Sequence, residues 1–151
     1  MTHARLPIRP FRDSDMDECV RMSMALYPDG VAEDHRADFD IAQQRPDAEI
    51  FVIERPNGSL GGFVEVGARA YADGCVTTPV GYIEAWYVDP DLRKRGYGRV
   101  LLGAAEDWAR AQGYREMASD AYLENETSHR AHERSGYEVV DRVVQFRKWI
   151  G

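Results

Sequence analysis

The stretch that decides the fold runs from Val80 to Arg99 and reads VGYIEAWYVDPDLRKRGYGR. It begins with a run of apolar and aromatic residues, which is typical of a strand buried on both faces of a sheet. Asp89-Pro90 ends this run, because proline cannot donate a hydrogen bond to a neighbouring strand. A helical pattern of apolar residues follows from Val100 onward. The stretch therefore predicts a strand, a loop and a helix in succession.

A basic loop with two glycines joins this strand to this helix. Its residues are, in order, Arg93, Lys94, Arg95, Gly96, Tyr97, Gly98 and Arg99. Glycines let the backbone approach an anion closely, and the free amides of a first helical turn point toward it. Two interpretations are open: a phosphate-binding loop, or a glycine pair that begins a helix beside solvated charges. The strand before the loop and the helix after it favour phosphate binding.

The loop and several other segments resemble a known family. The pattern Arg93-x-x-Gly96-x-Gly98 resembles the acetyl-coenzyme A signature of the GNAT N-acetyltransferases. Asn125, which stands before a predicted short helix, resembles the asparagine of a second segment of that family. Within the family, the chain is most similar to the aminoglycoside 6'-N-acetyltransferases. The similar pieces are Leu26-Tyr27-Pro28, Tyr71-x-x-Gly74-Cys75, Pro79-Val80, Ile83-Glu84 and Arg115-Glu116-Met117-Ala118-Ser119-Asp120.

The composition is that of one globular domain. The chain has 151 residues, of which 44% are hydrophobic and 30% are charged, and this length fits a single domain over residues 1–151 with its own core. No apolar run approaches the length of a membrane span, and the first residues lack the apolar centre of a signal peptide. We therefore expect a cytoplasmic protein that does not bind membranes.

The charge and the cysteines narrow the choice of partners. A net charge of −7 argues against nucleic-acid binding, which usually requires a basic face. It suits a small polycationic amine, because an acidic surface concentrates cations. The two cysteines, Cys19 and Cys75, do not have the spacing of metal ligands. We therefore predict no metal cofactor.

The order of the predicted elements is that of an α/β protein. The sequence predicts a first strand near Ile8, two helices, a hairpin around Asn57-Gly58, two strand–helix units, and final strands over residues 137–140 and 143–146. With the resemblance, this order implies the GNAT acyltransferase fold. We expect a mixed central sheet of about seven strands with helices on both faces, splayed between the strand ending at Val88 and the strand ending at Asp120.

The resemblance implies a set of contacts to acetyl-coenzyme A, the co-substrate. Its pyrophosphate is expected on the backbone amides of the basic loop, and its pantetheine arm in the splay beside Val88. The Val88 amide is expected to polarise the thioester carbonyl. The implied coenzyme-binding residues are Trp86, Tyr87, Val88, Arg93, Lys94, Arg95, Gly96, Tyr97, Gly98, Arg99 and Asn125.

Two carboxylates are candidates for the chemistry of the amine. Glu84 lies within an apolar strand, where a charge is costly without a partner. It either forms a structural ion pair with an arginine such as Arg69 or Arg115, or it faces Asp120 and binds ammonium groups of the acceptor. One carboxylate must accept a proton from the attacking amine. We expect Asp120 to be this base and Glu84 to be the substrate ligand, with the two roles open to exchange.

Three further features concern the acceptor and the leaving group. Tyr27 either stacks on a sugar ring or belongs to the core, and the resemblance implies that the loop beginning at Tyr71 overhangs the acceptor pocket. The predicted helix over residues 32–44 is acidic, and it is either a solvated helix or a flap over the substrate. His132 stands where many GNAT enzymes have a tyrosine that protonates the thiolate. It is either that acid or a packing residue, and the thiolate can also leave without help.

Three functions agree with these features. The first is acetyl transfer from acetyl-coenzyme A to the 6'-amino group of aminoglycoside antibiotics, by direct attack in a ternary complex, which would confer resistance. The second is GNAT acetylation of another amine, such as a polyamine, an amino sugar or a protein N-terminus. The third is a non-catalytic acetyl-coenzyme A-binding module. The family also implies a homodimer, and apolar residues up to Ile150 suit a last strand that pairs with a second copy; a monomer with a covered edge is the alternative.

Overall fold

The structure is a computed structural model that describes residues 4–151. Its sheet has five strands, arranged in the order in which they occur along the chain. The first four are antiparallel to their neighbours, whereas the fourth and fifth are parallel, so the sheet is mixed as predicted. The strands are β1 (Ile8–Pro10), β2 (Ala48–Glu54), β3 (Leu60–Arg69), β4 (Val80–Val88) and β5 (Met117–Ser119).

Helices cover both faces of the sheet. The α-helices within residues 4–151 are α1 (Met16–Leu26), α2 (Ala32–Gln44), α3 (Tyr97–Ala111) and α4 (Glu126–Arg134). On one face, Met22 of α1 and Phe39 of α2 share a core with Phe63 of β3. On the other face, Leu101 of α3 packs in a core with Val64. The predicted α/β architecture is confirmed. None of the helices in the described part of the chain is long and apolar enough to cross a membrane.

Two bulges interrupt the register of the sheet. Between β2 and β3, Ile53 is opposite Gly62 and Glu54 is opposite Leu60, so Gly61 is an extra residue on β3. Between β3 and β4, the partners shift so that Glu84 is an extra residue on β4. A bulge changes the face on which the following side chains lie, and the second bulge determines the shape of the candidate site.

The sheet splays between β4 and β5. The two strands pair only from Gly81, opposite Met117, to Ile83, opposite Ser119. Beyond this point β4 continues to Val88 while β5 ends. Residues 84–88 of β4 therefore face a gap, and the predicted splay is present.

The expectation of about seven strands was wrong. Within the described residues no strand follows β5, and residues 138–151 are exposed and form neither helix nor strand. The valines at 139, 140, 143 and 144 indicate a preference for burial, but a strand forms only where a neighbour supplies hydrogen bonds. In the single chain, β5 is the last strand of the sheet and is only three residues long. It therefore provides little backbone for another strand to pair with.

Candidate active site

An acidic cleft opens between the sheet and the helices α1 and α2. In a regular strand, Glu84 and Ala85 would point to opposite faces of the sheet. Because Glu84 is the extra residue of the bulge, it lies with Ala85 and Glu65 on the side of α1 and α2. The cleft there has a volume of about 550 Å³. Its walls include the carboxylates of Asp34, Asp38, Glu65 and Glu84, the rings of Tyr27 and His35, and one cation, Arg45.

Glu84 forms an ion pair with Arg69, which is one of the two arginines considered from the sequence. The Nε and Nη2 atoms of Arg69 donate to the two carboxylate oxygens of Glu84 at 2.8 and 2.7 Å. The guanidinium of Arg69 also lies 3.5 Å from the ring centre of Tyr82, and the Tyr82 hydroxyl donates a hydrogen bond to Asp120. Glu84 and Asp120 are therefore connected through Arg69 and Tyr82 and do not contact each other directly.

The two tyrosines expected on the acceptor side lie in different surroundings. Tyr27 lines the cleft and is 40% exposed. Burial raises the pKa of Tyr27, and the negative charge of Asp120 raises it further, so Asp120 lies within electrostatic range of the cleft. Tyr71 is 70% exposed, and its hydroxyl donates to Asp73 at 2.8 Å. Tyr71 is not among the residues that line the cleft.

Two residues of the cleft were missed by sequence reasoning. Glu65 lies in the apolar run of β3, and the argument used for Glu84, a charge within an apolar strand, would have found it as well. His35 lies on α2, where its Nδ1 hydrogen bonds with Ser23 Oγ at 2.7 Å. Its Nε2 is buried and has no hydrogen-bond partner within residues 4–151. No local pattern marks His35, because Ser23 belongs to a different helix.

The basic loop folds into a left-handed turn that leads into α3. Lys94 has a φ of 61° and Gly96 a φ of 85°, a region that glycine adopts without strain. α3 begins at Tyr97, and the amides of its first turn have no carbonyl acceptor within the helix. A Cβ atom on Gly98 would lie 3.0 Å from the ring of Trp86. The second glycine therefore permits close packing of α3 on β4, at the position where the loop meets the splay.

The side chains of the loop differ in their surroundings. Tyr97 is buried, and its hydroxyl accepts a hydrogen bond from the Leu6 amide at 3.0 Å, so the side chain is part of the core. Arg93 turns back to the end of β4, where its Nε donates to the Val88 carbonyl at 2.8 Å. The remaining cations are exposed around the start of α3; they are Lys94, Arg95 and Arg99.

The Val88 amide points into the gap beside β4. The Asp89 amide donates to the Gly61 carbonyl at 2.7 Å, and successive amides of an antiparallel strand point in opposite directions. The amides of Val88 and Trp86 therefore point away from β3, toward the side on which β5 has ended. Tyr87 alternates with them, and its ring is buried in the core beneath α1 and α2.

His132 and Asn125 lie on the far side of the gap. Both ring nitrogens of His132 are engaged, Nε2 with Ser119 Oγ at 2.8 Å and Nδ1 with the Ser128 carbonyl at 2.7 Å. The ring also packs edge-on against Trp86, with ring centres 5.1 Å apart. The Asn125 side chain accepts a hydrogen bond from the Ser128 amide at 3.1 Å and so caps α4. His132 therefore makes the contacts of a packing residue at the border of the gap.

Within residues 4–151, no group of three histidine, cysteine, aspartate or glutamate side chains could hold a metal ion. Cys19 is fully buried, and burial raises the pKa of its thiol to about 12. A thiol with such a pKa is not reactive at neutral pH. Cys19 is therefore a core residue.

Comparisons with known proteins agree with this geometry. The sequence pattern of the Acetyltransferase (GNAT) family matches residues 16–137. The chain thus belongs to the GNAT family of acetyltransferases, and it is an enzyme of the acyltransferase class. It is 37% identical over 144 residues to the aminoglycoside N(6')-acetyltransferase type 1 of Klebsiella aerogenes, a match that covers 93% of this chain and 95% of the relative. With the enzyme of the same name from Stenotrophomonas maltophilia, it is 38% identical over 143 residues, which cover 93% and 91%.

Solved structures are similar over almost the entire chain. The aminoglycoside antibiotic 6'-N-acetyltransferase AAC(6')-Ih from Acinetobacter baumannii has a TM-score of 0.89 at 28% identity, covering 97% of this chain and 99% of that one. AAC(6')-Iy in complex with the bisubstrate analog CoA-S-monomethyl-acetylneamine has a TM-score of 0.90 at 30% identity, covering 97% and 100%.

Proposed function

We propose that this enzyme transfers an acetyl group from acetyl-coenzyme A to the 6'-amino group of aminoglycoside antibiotics, by direct attack within a ternary complex. The observation that carries the proposal is the meeting of two sites along β4. The acidic cleft lies beside Glu84, and the gap that the Val88 amide faces begins at the same residue. Relatives with this activity in their names, at 37% and 38% identity, support it.

The coenzyme side of the mechanism rests on backbone groups. The pyrophosphate would bind the amides of the loop and of the first turn of α3, where the helix dipole and the exposed cations favour an anion. The pantetheine arm would lie in the gap between β4 and α4, near Trp86 and Asn125. The Val88 amide would donate to the thioester carbonyl and stabilise the oxyanion that forms when the amine attacks.

The acceptor side rests on carboxylates. We propose that Glu84 binds an ammonium group of the acceptor, which would replace Arg69 as its partner. Asp120 would accept one proton from the ammonium that reacts, directly or through a water molecule. The neutral amine then attacks the carbonyl carbon, the C–S bond breaks, and the second proton of the nitrogen goes to the thiolate. The products are the amide, coenzyme A and one proton released to solvent.

The thiolate does not need a dedicated acid in this scheme. His132 has both nitrogens engaged, and its hydrogen bond with Ser119 Oγ would have to rearrange before it could donate a proton to sulfur. We therefore propose that the proton reaches the thiolate from the tetrahedral intermediate or from water, and that His132 maintains the packing between α4 and β4.

Thiol release from acetyl-coenzyme A tests the proposed reaction. The panel contains kanamycin, tobramycin, their counterparts with a 6'-hydroxyl group, spermidine and a short peptide. We expect release only with compounds that carry a 6'-amine, and intersecting initial-velocity patterns for a ternary complex. Turnover of spermidine or the peptide alone would assign the enzyme to another amine. Bound acetyl-coenzyme A without turnover of any compound would support a non-catalytic role.

A resistance role and a cytoplasmic location follow from the same proposal, because the reaction consumes cytoplasmic acetyl-coenzyme A and removes a cationic amine from the antibiotic. Expression in a susceptible bacterium should raise the inhibitory concentration of kanamycin. It should leave that of an aminoglycoside with a 6'-hydroxyl group unchanged.

We also propose that the enzyme is a homodimer in which the C-terminal segment of one copy packs on the other. Phe146, Trp149 and Ile150 are each more than three-quarters exposed in the single chain. Contiguous apolar exposure of this kind is typical of an interface. Light scattering should give the mass of a dimer for the unmodified chain. The variant with Phe146→Ser and Trp149→Ser should give the mass of a monomer.

A further inference from the structure

Glu65 lies at a central position beneath the acidic cleft. It is on β3, paired with Ile50 of β2 on one side and with Ala85 of β4 on the other. Because it alternates with Val64 and Val66, which pack against α3, its side chain faces α1 and α2. It is half-buried and lines the cleft. A carboxylate thus forms part of the cleft floor on the strand next to β4.

The Glu65 carboxylate has no hydrogen bond or ion pair within residues 4–151, unlike the other acids assigned to the reaction. Glu84 is held by Arg69, and Asp120 accepts from Tyr82. Arg45, the cation of the cleft wall, is already bonded to Asp47 at 3.0 Å and to the Ala68 carbonyl at 3.1 Å. A half-buried carboxylate without a partner is costly, and a bound cation would offset this cost.

A second unsatisfied group lies in the same wall. The Nε2 of His35 is buried without a partner, although the other ring nitrogen is held by Ser23. The structure therefore leaves one acceptor carboxylate and one imidazole nitrogen unpaired around a single cavity. An ammonium group of a bound acceptor would pair with the Glu65 carboxylate, whereas the His35 nitrogen is buried against Gly30.

The charges around Glu65 make its protonation sensitive to a bound cation. Burial, together with the negative charges of Glu84 and Asp38, raises the pKa of Glu65 to about 7, and the positive charge of Arg45 partly opposes this rise. The other polar residues that line the cleft from this side are Ser23 of α1, Tyr27 directly after α1, and Asp34 and His35 of α2. An ammonium group beside the carboxylate favours its ionised form. Near neutral pH, such a group would therefore expel a proton from Glu65.

We propose that Glu65 is a specificity-determining residue that binds a second, non-reacting ammonium group of the acceptor and loses its proton when that group binds. This inference rests on the proposed function, because it assumes that the acceptor occupies the acidic cleft. The proton passes to solvent, and no covalent bond forms or breaks. The acceptor is thereby selected as a polyamine, with one amine at the acetyl group and another above β3.

Steady-state kinetics of the Glu65→Gln variant test the proposal with tobramycin as acceptor. Glutamine retains the shape of glutamate but cannot carry the charge. We expect the KM for tobramycin to rise roughly tenfold to a hundredfold at pH 8, the loss of one charge-assisted hydrogen bond. The ratio of variant to wild-type KM should fall by up to about tenfold at pH 6, because part of the binding free energy of the wild type is then used to release the proton of Glu65. The KM for acetyl-coenzyme A and the kcat should change little.

The matched control is Asp107→Asn, which makes the same change of net charge on α3, on the opposite face of the sheet. Asp107 is 81% exposed, and this variant should retain the wild-type KM at every pH. Calorimetry of tobramycin binding in buffers of different ionisation enthalpy counts the protons exchanged. Wild type and Asp107→Asn should release more protons per tobramycin at pH 7 than Glu65→Gln does.

An unchanged KM, or equal proton counts for the three proteins, would overturn the assignment of Glu65. A fall in kcat at constant KM would also overturn it, since the carboxylate would then act in the chemical step. These outcomes differ from a failure of the proposed function itself, in which the wild-type enzyme would release no thiol with tobramycin. Unfolding midpoints of the variants distinguish lost binding from a lost fold.

Discussion

Two acidic residues beside β4, Glu65 next to its middle and Asp89 just after its end, differ in whether their carboxylates have partners. At the end, Asp89 is only 7% exposed, and both of its carboxylate oxygens accept from guanidinium groups, those of Arg21 and Arg55, at 3.1 Å. Beside the middle of β4, Glu65 of β3 lies beneath the acidic cleft without a hydrogen-bond partner within residues 4–151 and with Glu84 as a charged neighbour. Both carboxylates carry a desolvation cost, but only that of Asp89 is offset by the fold.

The pKa values record this difference. Burial alone would raise the pKa of Asp89, but the hydrogen bonds from Arg21 and Arg55 hold it below its ordinary value. Burial and the negative charges of Glu84 and Asp38 raise the pKa of Glu65 to about 7, and no arginine hydrogen bond to its carboxylate counteracts this rise. We infer that Asp89, buried and held by two arginines, belongs to the scaffold, whereas Glu65, which lines the cleft without a hydrogen-bond partner within residues 4–151, belongs to ligand binding.

The largest effect on stability is expected at the end of β4. Asp89→Asn should lower the free energy of unfolding by about 3 kcal/mol at pH 7, because two guanidinium groups lose the charge that they surround. The folded state favours ionised Asp89, so its contribution is present above the ordinary pKa and lost as the pH falls through the folded value. Urea unfolding of the wild type and of Asp89→Asn at pH 7 and at pH 3 would measure the loss of stability and its dependence on pH. An equal loss of unfolding free energy at the two pH values would contradict this explanation.

In the cleft, removal of a carboxylate is expected to stabilise the fold, in contrast to its removal at Asp89. Glu65→Gln should raise the free energy of unfolding by about 2 kcal/mol at pH 8, somewhat less than the full shift in pKa implies. Because the folded pKa of Glu65 lies above its ordinary value of 4.5, the native state retains a proton that the unfolded chain has released. Stability from this group therefore falls as the pH rises from about 4.5 to 7.

Urea unfolding of the wild type and of Glu65→Gln across this range gives the measurement. Their difference should be largest above pH 7 and should vanish near pH 4. Asp107→Asn, exposed on α3, is the control for the change in net charge. A Glu65→Gln variant that is less stable than the wild type at pH 8 would mean that the carboxylate has a stabilising partner.

The comparison also explains what could be predicted from the sequence. The limits of α2 agree with the prediction for residues 32–44, since a helix is a local structure. The loop and the splay were likewise predictable from a contiguous stretch and its resemblance to a family. The shared face of Glu65 and Glu84 was not, because it depends on a bulge between two strands. Whether an acid has an arginine partner is equally non-local, since Asp89 and Arg21 are separated by 68 residues.

A smaller effect, on the KM for tobramycin, is expected from the ion pair of Glu84. Glu84 is intermediate between Asp89 and Glu65, because it has one arginine partner and that partner is partly exposed. The side chains of Arg69 and Glu84 are 44% and 25% exposed, and such a pair contributes at most about 1 kcal/mol. If an acceptor ammonium displaces Arg69, then Arg69→Gln should lower the KM for tobramycin roughly twofold to fivefold. Arg69→Lys, which keeps the positive charge, should remain near the wild-type value. A raised KM in Arg69→Gln would instead mean that Arg69 positions Glu84 for binding.

The smallest change in the free energy of unfolding is expected when an ion pair that is exposed to solvent is removed. Asp17 accepts from Arg36 at 2.5 Å, a shorter contact than any made by Asp89, yet the Asp17 side chain is 89% exposed. If pairing itself stabilised the fold, Asp17→Asn and Asp89→Asn would have similar costs. If desolvation sets the scale, Asp17→Asn should change the free energy of unfolding by less than about 0.5 kcal/mol. Urea unfolding of both variants in low and in high salt decides between these views, because an exposed pair is screened by salt and a buried one is screened much less. A cost for Asp17→Asn close to that for Asp89→Asn would mean that the pairing itself, and not its burial, determines how much Asp89 stabilises the fold.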